Sequence, residues 1–296
     1  MNKLYSEFAK ESYFRTSDGT NLHYVEAGSG EVLIAIPGWS GTEDFLMFCL
    51  KSLAEKYHVY ILESRGHGAS DVPEKGYRIS RLAMDAREFF ESLQIEKANW
   101  MAHSMGCSVL WCYYDLFGSG TIKKWVLIDE PPFLLANPQD SEEEVLEYGG
   151  QRIDLWQIYN AYQDNWKEGQ NSFDRYFQMR LYDENNEQQE ALYSQLTEEN
   201  DETKNQRRFF LGKLLFDHLT NDWRDVIPLI RVPTLYISGD VSHATNEKCA
   251  KWVVDSIPEC QWVRFSKEEY GTHSMMINSP EIFSDAVIRF LGEGLE

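Results

Sequence analysis

The sequence ANWMAHSMGC, residues 98–107, determines how the rest of the chain is interpreted. Its apolar first half can form a buried strand, and an apolar segment with helical spacing follows at residues 108–117. Between them stands Ser104, with the small residues Ala102 and Gly106 two positions away on either side. A serine at such a sharp strand-to-helix turn projects its hydroxyl above the sheet, and small neighbours prevent a backbone clash. Ser104 is therefore the candidate nucleophile.

Length and composition limit the class of protein. The 296 residues are enough for one large domain with an insertion, and a 43% hydrophobic content can fill its core. The formal net charge of −20 disfavours nucleic acid and anionic membranes as partners. No stretch approaches the ~18 apolar residues of a membrane helix, and residues 1–14 lack the apolar region of a signal peptide. Five cysteines without C-x-x-C spacing suit a reducing compartment, so we expect a cytoplasmic protein.

Apolar runs and amphipathic segments alternate along most of the chain. Runs typical of strands covered on both faces occupy residues 32–36, 59–62, 98–102, 125–128 and 233–239. A hairpin is predicted within residues 13–25, and helices are predicted near residues 43–56, 79–93, 246–256 and 280–291. This alternation predicts an α/β fold with a mainly parallel, doubly wound sheet that binds ligands at the carboxyl ends of its strands.

The strand pattern disappears between about residue 131 and residue 230. This segment is helical in pattern, acidic and rich in aromatic residues. We predict a core domain made of residues 1–130 and 231–296, with residues 131–230 inserted as a helical lid. Trp156 and Trp166 are the lid side chains that we expect in the pocket, and they favour a small hydrophobic or aromatic substrate.

Six short motifs occur along the chain in a fixed order. They are Pro37-Gly38-Trp39, Arg65-Gly66-His67-Gly68-Ala69-Ser70, Ala102-His103-Ser104-Met105-Gly106, Leu127-Ile128-Asp129, Pro233-Thr234-Leu235-Tyr236-Ile237-Ser238-Gly239 and Gly271-Thr272-His273. Together they resemble the α/β-hydrolase superfamily over nearly the whole length. The resemblance is to esterases, lactonases and non-haem chloroperoxidases. The Pro-Gly-Trp turn and the Gly-Thr-His loop also resemble cofactor-free dioxygenases of the same fold, which cleave hydroxy-quinolones.

The resemblance implies a catalytic triad and an oxyanion hole. Ser104 needs a base, and His273 lies in the loop where the family has its histidine. The oxyanion hole would consist of two backbone N–H groups, those of Trp39 and Met105. His103, beside the nucleophile, is a possible pocket residue. Neither a metal spacing such as H-E-x-x-H nor a nucleotide-binding motif occurs, so no metal and no cofactor are predicted.

Three carboxylates compete for the role of the triad acid. The usual family position, three residues after Gly239, holds Ser242. Asp129 ends an apolar strand beside the Ser104 strand, so it ranks first. Glu130 ranks second, since successive side chains of a continuing strand point to opposite faces. Asp240 ranks third because it lies two positions before the usual place.

We expect a serine hydrolase that cleaves an ester or a lactone through an acyl-enzyme. The first alternative is a cofactor-free dioxygenase in which His273 deprotonates an aromatic substrate and Ser104 only positions it. The second is a non-catalytic ligand receptor on the same fold.

Overall fold

The computed structural model describes residues 4–177, 187–196 and 201–292, and these residues contain one sheet of eight strands. The strands are β1 (Ala9–Arg15), β2 (Asn21–Ala27), β3 (Val32–Ile36), β4 (His58–Leu62), β5 (Ala98–His103), β6 (Ile122–Ile128), β7 (Thr234–Gly239) and β8 (Cys260–Phe265). Their order across the sheet is β1-β2-β4-β3-β5-β6-β7-β8. β2 pairs antiparallel with β1 and β4, and every other pair is parallel. The predicted α/β class with a mainly parallel sheet is confirmed.

Helices cover both faces of this sheet. The core on one face includes residues of α2 (Ile79–Ser92), α3 (Met105–Phe117) and α9 (Glu247–Ser256). The core on the other face includes residues of α1 (Leu50–Ala54), α10 (Met275–Asn278) and α11 (Pro280–Gly292). The five central strands, β3 to β7, are buried on both sides, which explains their continuous apolar runs. Among the helices of the described ranges, none is both long and apolar enough to cross a membrane.

The single helix expected over residues 43–56 is broken in two. A 3₁₀ turn, Glu43–Leu46, precedes α1, and residues 47–49 separate them. Phe45, Leu46 and Met47 are consecutive and all buried. Consecutive residues of one α-helix point in different directions, so a continuous helix could not bury all three on one face. Breaking the helix allows this apolar run to face the core.

The segment between β6 and β7 contributes helices. It contains α4 (Glu142–Tyr148), α5 (Leu155–Asp164), α6 (Trp166–Phe177), α7 (Glu187–Leu196) and α8 (Asp201–Thr220), and its described residues add no strand to the sheet. Residues 178–186 and 197–200 of the predicted lid lie outside the described residues. Side chains of α5, α6 and α8 form a separate apolar cluster that includes Ile158, Tyr162 and Leu215. An apolar core of its own is what a lid needs in order to keep its shape.

A buried guanidinium fixes the loops on the β4 side of the sheet. The Arg65 side chain has no exposed area, and its Nε lies 2.7 Å from Asp85 Oδ2 on α2. Its Nη1 lies 2.9 Å from Asp18 Oδ2 in the β1–β2 turn. Burial raises the pKa of Asp85 while Arg65 opposes that rise. Removing the arginine would therefore leave the buried Asp85 carboxylate with Arg81, whose Nη2 lies 2.8 Å from Oδ1, as its remaining counter-ion.

We expect Arg65→Met to lower the free energy of unfolding by about 3 kcal/mol, the low end of the range for breaking a buried ion pair, because Arg81 still pairs with Asp85. The matched control is Lys251→Met, which removes an exposed pair with Asp255 on α9 and should cost about 0.3–0.5 kcal/mol. Urea denaturation followed by circular dichroism measures both. Equal losses in the two variants would show that the Arg65 pair contributes no more than a surface pair.

Candidate active site

Ser104 stands at a strained turn between β5 and α3. Its backbone has φ 53° and ψ −130°, which a residue with a side chain rarely adopts. The turn packs against the end of β3, and two glycines make this possible. A Cβ on Gly106 would lie 2.6 Å from the carbonyl oxygen of Ile36, and a Cβ on Gly38 would lie 2.9 Å from Ser104 Cβ. The fold therefore maintains the strain at Ser104 through close backbone packing.

His273 is held near this turn by the end of β7. The loop after β8 approaches so closely that a Cβ on Gly239 would lie 1.9 Å from the carbonyl oxygen of Gly271. The N–H of Val241 donates to that same carbonyl at 2.9 Å. His273 follows two residues later, and its Nδ1 lies 2.6 Å from Asp129 Oδ2. Nδ1 donating to a carboxylate leaves Nε2 as the nitrogen that can accept a proton.

The Asp129 carboxylate is fully buried and surrounded by donors. The hydroxyls of Ser242 and Thr245 donate to its two oxygens, and His273 Nδ1 donates as well. Burial raises the pKa of Asp129, while both hydroxyl hydrogen bonds lower it. Its backbone has φ 53°, so the chain turns sharply immediately after β6. Three donors compensate for the cost of burying this charge.

The two rival carboxylates contact other partners. Glu130 Oε1 lies 3.3 Å from Ser108 Oγ and 3.3 Å from His218 Nε2. Asp240 is exposed and pairs with Arg264 on β8. Only Asp129, of the three candidates, contacts His273 within the described structure. The sequence ranking of the acids therefore agrees with the geometry, and their catalytic roles remain a prediction.

Two backbone donors face no protein acceptor. Among the described residues, neither the Trp39 N–H nor the Met105 N–H donates to a protein group. Met105 is the first residue of α3, where an N–H has no partner within the helix. The positive end of the helix dipole also lies there. These are the properties that an oxyanion hole requires.

A cavity of about 280 Å³ connects these groups. Ser104 and His273 lie on its wall, and α6 and α8 close it from the lid side. Its wall consists of Trp39, Ser40, Ser104, Glu130, Leu134, Gln170, Phe173, Phe177, Leu215, His218, Leu219, His243, Ala244 and His273. Half of these side chains are apolar, and the polar half includes Ser104, His273 and Glu130. Among the described residues, Ser104 and His273 are not joined by a hydrogen bond, and such contacts often tighten only when substrate binds.

Three predicted pocket residues do not lie on this wall in the described structure. Trp156 is 63% exposed and packs on Tyr159 and Phe216, because it occupies the outer face of α5. Trp166 stacks on Trp39, with ring centroids 5.8 Å apart, and is absent from the cavity wall. His103 is packed behind the site, where its Nε2 lies 2.9 Å from the carbonyl oxygen of His273. Contrary to the expectation from the sequence, these three side chains therefore do not line the cavity of the described structure.

Two further histidines flank His273. The ring centroids of His103 and His243 lie 4.5 Å and 4.7 Å from that of His273. Burial lowers the pKa of both flanking rings to about 3 and that of His273 to about 4, and the Asp129 carboxylate opposes the shift at the two flanking rings. All three rings are therefore neutral at pH 7. His243 had no pattern in the sequence that pointed to this position.

One group among the described residues has the composition of a metal site, and it is already satisfied internally. His23, Glu43 and Glu63 place potential ligand atoms within 4.8 Å of one another. His23 Nδ1 lies 2.9 Å from Glu63 Oε2, and the Ala69 N–H donates to that oxygen at 2.7 Å. The Glu43 N–H donates to the other Glu63 oxygen. This cluster links the loops after β3 and β4.

Comparison with known proteins gives a consistent result. The family model for the alpha/beta hydrolase fold matches residues 31–277. A non-heme chloroperoxidase from Kitasatospora aureofaciens is 29% identical over 137 residues, which is 45% of this chain and 50% of that protein. Epoxide hydrolase 1 from Caenorhabditis elegans is 24% identical over 284 residues, 92% of this chain and 68% of that protein. The chain thus spans about half of the chloroperoxidase and two thirds of the worm enzyme.

Solved structures share the whole fold. The enol-lactonase from Burkholderia xenovorans LB400 superposes with a TM-score of 0.75 at 18% identity, covering 95% of this chain and 100% of that one. The esterase RhEst1 from Rhodococcus sp. ECU1013 also gives a TM-score of 0.75, at 19% identity, with 96% and 98% covered. At these identities the likeness establishes the fold alone.

The geometry predicts which carboxylate supports His273. We expect Asp129→Asn to slow labelling of Ser104 by a fluorophosphonate roughly 10⁴-fold, which is the loss in rate that follows when a triad histidine loses its acid. Asp240→Asn is the matched control and should label at close to the wild-type rate. The labelling rate of Glu130→Gln should lie much closer to the rate of this control than to the rate of Asp129→Asn. Slow labelling in Asp240→Asn with normal labelling in Asp129→Asn would contradict the assignment.

Proposed function

The chain belongs to the α/β-hydrolase family, and from this premise we propose that it is a serine hydrolase acting on an ester or a lactone. The observation that carries the proposal is the hydrogen bond between His273 Nδ1 and the buried carboxylate of Asp129. This bond orients the ring and leaves Nε2 as the base, on the wall of the cavity that Ser104 also lines. A strained serine with free oxyanion donors beside it completes the set of groups for acyl transfer.

The reaction proceeds in two halves. His273 Nε2 takes the proton of Ser104 as Oγ attacks the substrate carbonyl, and the oxyanion receives hydrogen bonds from Trp39 N–H and Met105 N–H. The imidazolium returns its proton to the leaving alkoxide, which departs and leaves an acyl-enzyme. Water then attacks the acyl group with His273 again as base, and the product acid leaves Ser104. Asp129 stabilises the imidazolium in both halves.

The chemistry of serine favours acyl transfer over epoxide opening. Attack of Ser104 Oγ on an epoxide carbon would form an ether, which water does not cleave under these conditions. Attack on a carbonyl forms an ester, which the same base can hydrolyse. The products of the two attacks therefore favour ester or lactone hydrolysis over the epoxide hydrolysis named for some relatives.

The cavity wall supports a small, largely apolar substrate. Phe173, Phe177 and Leu215 line its lid side, and Leu134 lines the segment that follows β6. We propose that residues 131–230 form a lid that selects this substrate. Burial of an aromatic or aliphatic arm against these side chains contributes binding free energy in proportion to the area removed from water.

A second candidate is cofactor-free dioxygenation of an aromatic substrate. Trp39 favours it, because its ring stacks with Phe173 at 5.5 Å and forms an aromatic wall next to Ser104. A planar ring lying on that wall would present an acidic proton to His273. In this reaction Ser104 positions the substrate and no acyl-enzyme forms.

We expect Ser104→Ala to abolish hydrolysis of a panel of 4-nitrophenyl esters and lactones, with a loss in kcat of roughly 10⁶ because triad residues act as a unit. The control is the unfolding midpoint of the variant, which should match the wild type since alanine keeps the Cβ and the same backbone conformation. Activity within about tenfold of wild type would exclude Ser104 as the nucleophile. Oxygen consumption with a hydroxy-quinolone in the same variant would favour the dioxygenase, and substrate binding without turnover in the wild type would favour a receptor.

The pH dependence follows from the burial of His273. The ring acts as a base only when neutral, and burial lowers its pKa from 6.5 to about 4. We therefore expect kcat/KM for ester hydrolysis to be flat above pH 6.5 and to fall only as the pH decreases through a value below 6.5. A stopped-flow pH profile measures this. An acid limb centred above pH 7 would contradict a buried, neutral base.

A further inference from the structure

The cavity contains a second polar pair that the proposed reaction does not use. His218 on α8 and Glu130 after β6 both lie on the cavity wall, with His218 Nε2 3.3 Å from Glu130 Oε1. Both side chains are at least nine-tenths buried, at 5% and 2% exposure. The pair connects the lid to the core at a place otherwise lined by Leu134, Leu215 and Leu219.

One atom of this pair has no partner among the described residues. His218 Nδ1 is buried and forms no hydrogen bond with any described residue. An unpaired polar atom in an apolar wall costs free energy, and native structures contain few of them without a reason. A ligand group that fills the cavity is the partner that would satisfy it.

The surroundings of Glu130 determine what that partner must offer. Ser108 Oγ donates to Glu130 Oε1, and the same oxygen faces His218 Nε2. We infer that the His218 proton lies on Nε2, toward this carboxyl oxygen, which leaves a lone pair on Nδ1. A lone pair is completed by a hydrogen-bond donor. Burial and the charge of Asp129 raise the pKa of Glu130, and burial lowers that of His218 to about 3, so neither partner needs a charged ligand.

We propose that His218, oriented by Glu130, is the specificity-determining residue that recognises a hydroxyl group on the apolar arm of the substrate. This inference rests on the proposed function, because it treats the cavity as the substrate site. The nucleophile and the pair are close along the chain: Ser108 is one helical turn beyond Ser104, a rise of about 6 Å. A hydroxyl on a short aromatic acyl arm would therefore come within reach of the pair.

The test uses matched 4-nitrophenyl esters of benzoic, phenylacetic and phenylpropanoic acids, each bare, with a para-hydroxyl and with a para-methoxy group. One of the three arm lengths should bring the para position next to His218. For that length, the wild-type kcat/KM of the hydroxyl ester should exceed that of the bare ester and that of the methoxy ester by about 10- to 100-fold, because the other two leave a buried acceptor unpaired. Equal rates for hydroxyl and bare esters of all three lengths would overturn the inference. A preference shared by the methoxy ester would overturn the donor requirement.

Variants identify the residue responsible. His218→Phe should reduce the hydroxyl-to-bare ratio to about one, since the ring keeps its size and loses its acceptor. Glu130→Gln should keep the ratio, because the amide oxygen still accepts from Ser108 and His218, whereas Glu130→Leu should lose it. Leu219→Met alters the same wall without a polar change and should also keep it. A ratio that survives His218→Phe would assign the preference elsewhere and refute this role.

Binding separates this inference from the proposed reaction. Calorimetry with Ser104→Ala and the same esters should show the hydroxyl preference in Kd. Preference in binding without any wild-type hydrolysis would contradict the proposed function and leave this inference standing. Hydrolysis without a hydroxyl preference in either kcat/KM or Kd would contradict this inference and leave the proposed function standing.

Discussion

The buried carboxylate of Asp129 is the group on which the geometry of the site depends. A fully buried charge is stable only with donors around it, and this one receives three, from Ser242, Thr245 and His273. The donors belong to the loops that follow β7 and β8. Because β6, β7 and β8 are consecutive neighbours in a parallel sheet, their carboxyl ends meet at one edge. Sheet order therefore determines which residues can surround the carboxylate.

Ser242 illustrates how a site keeps its geometry when an acid occupies a different strand. The position after β7 where the family resemblance expects a carboxylate holds a hydroxyl, and that hydroxyl donates to Asp129. The charge thus comes from β6, and the loop after β7 supplies a hydrogen bond that stabilises it. His273 keeps a carboxylate partner in this arrangement. With the carboxylate after β6 and the hydroxyl after β7, a single buried negative charge lies next to the histidine.

Features determined by local sequence could be predicted, and features determined by side-chain direction in the lid could not. The turn at Ser104 follows from small neighbours and an apolar strand. Asp129 follows from its place at a strand end. The outward direction of Trp156 depends on which face of α5 packs on the lid core, and a segment rich in aromatic residues on all sides does not reveal that face. The pairing of Glu130 with His218 joins the end of β6 to α8, 88 positions later in the sequence, so no local pattern could have indicated it.

The proposed reaction passes through a covalent acyl-enzyme on Ser104, and trapping that intermediate is the most direct test. Wild-type protein is mixed with 4-nitrophenyl acetate, quenched in acid within milliseconds, digested and analysed by mass spectrometry. We predict a transient acetyl group on the peptide that contains Ser104, formed at the rate of the nitrophenol burst and lost at the rate of steady-state turnover. Turnover without an acyl group on Ser104, or with the acyl group on another residue, would contradict the account.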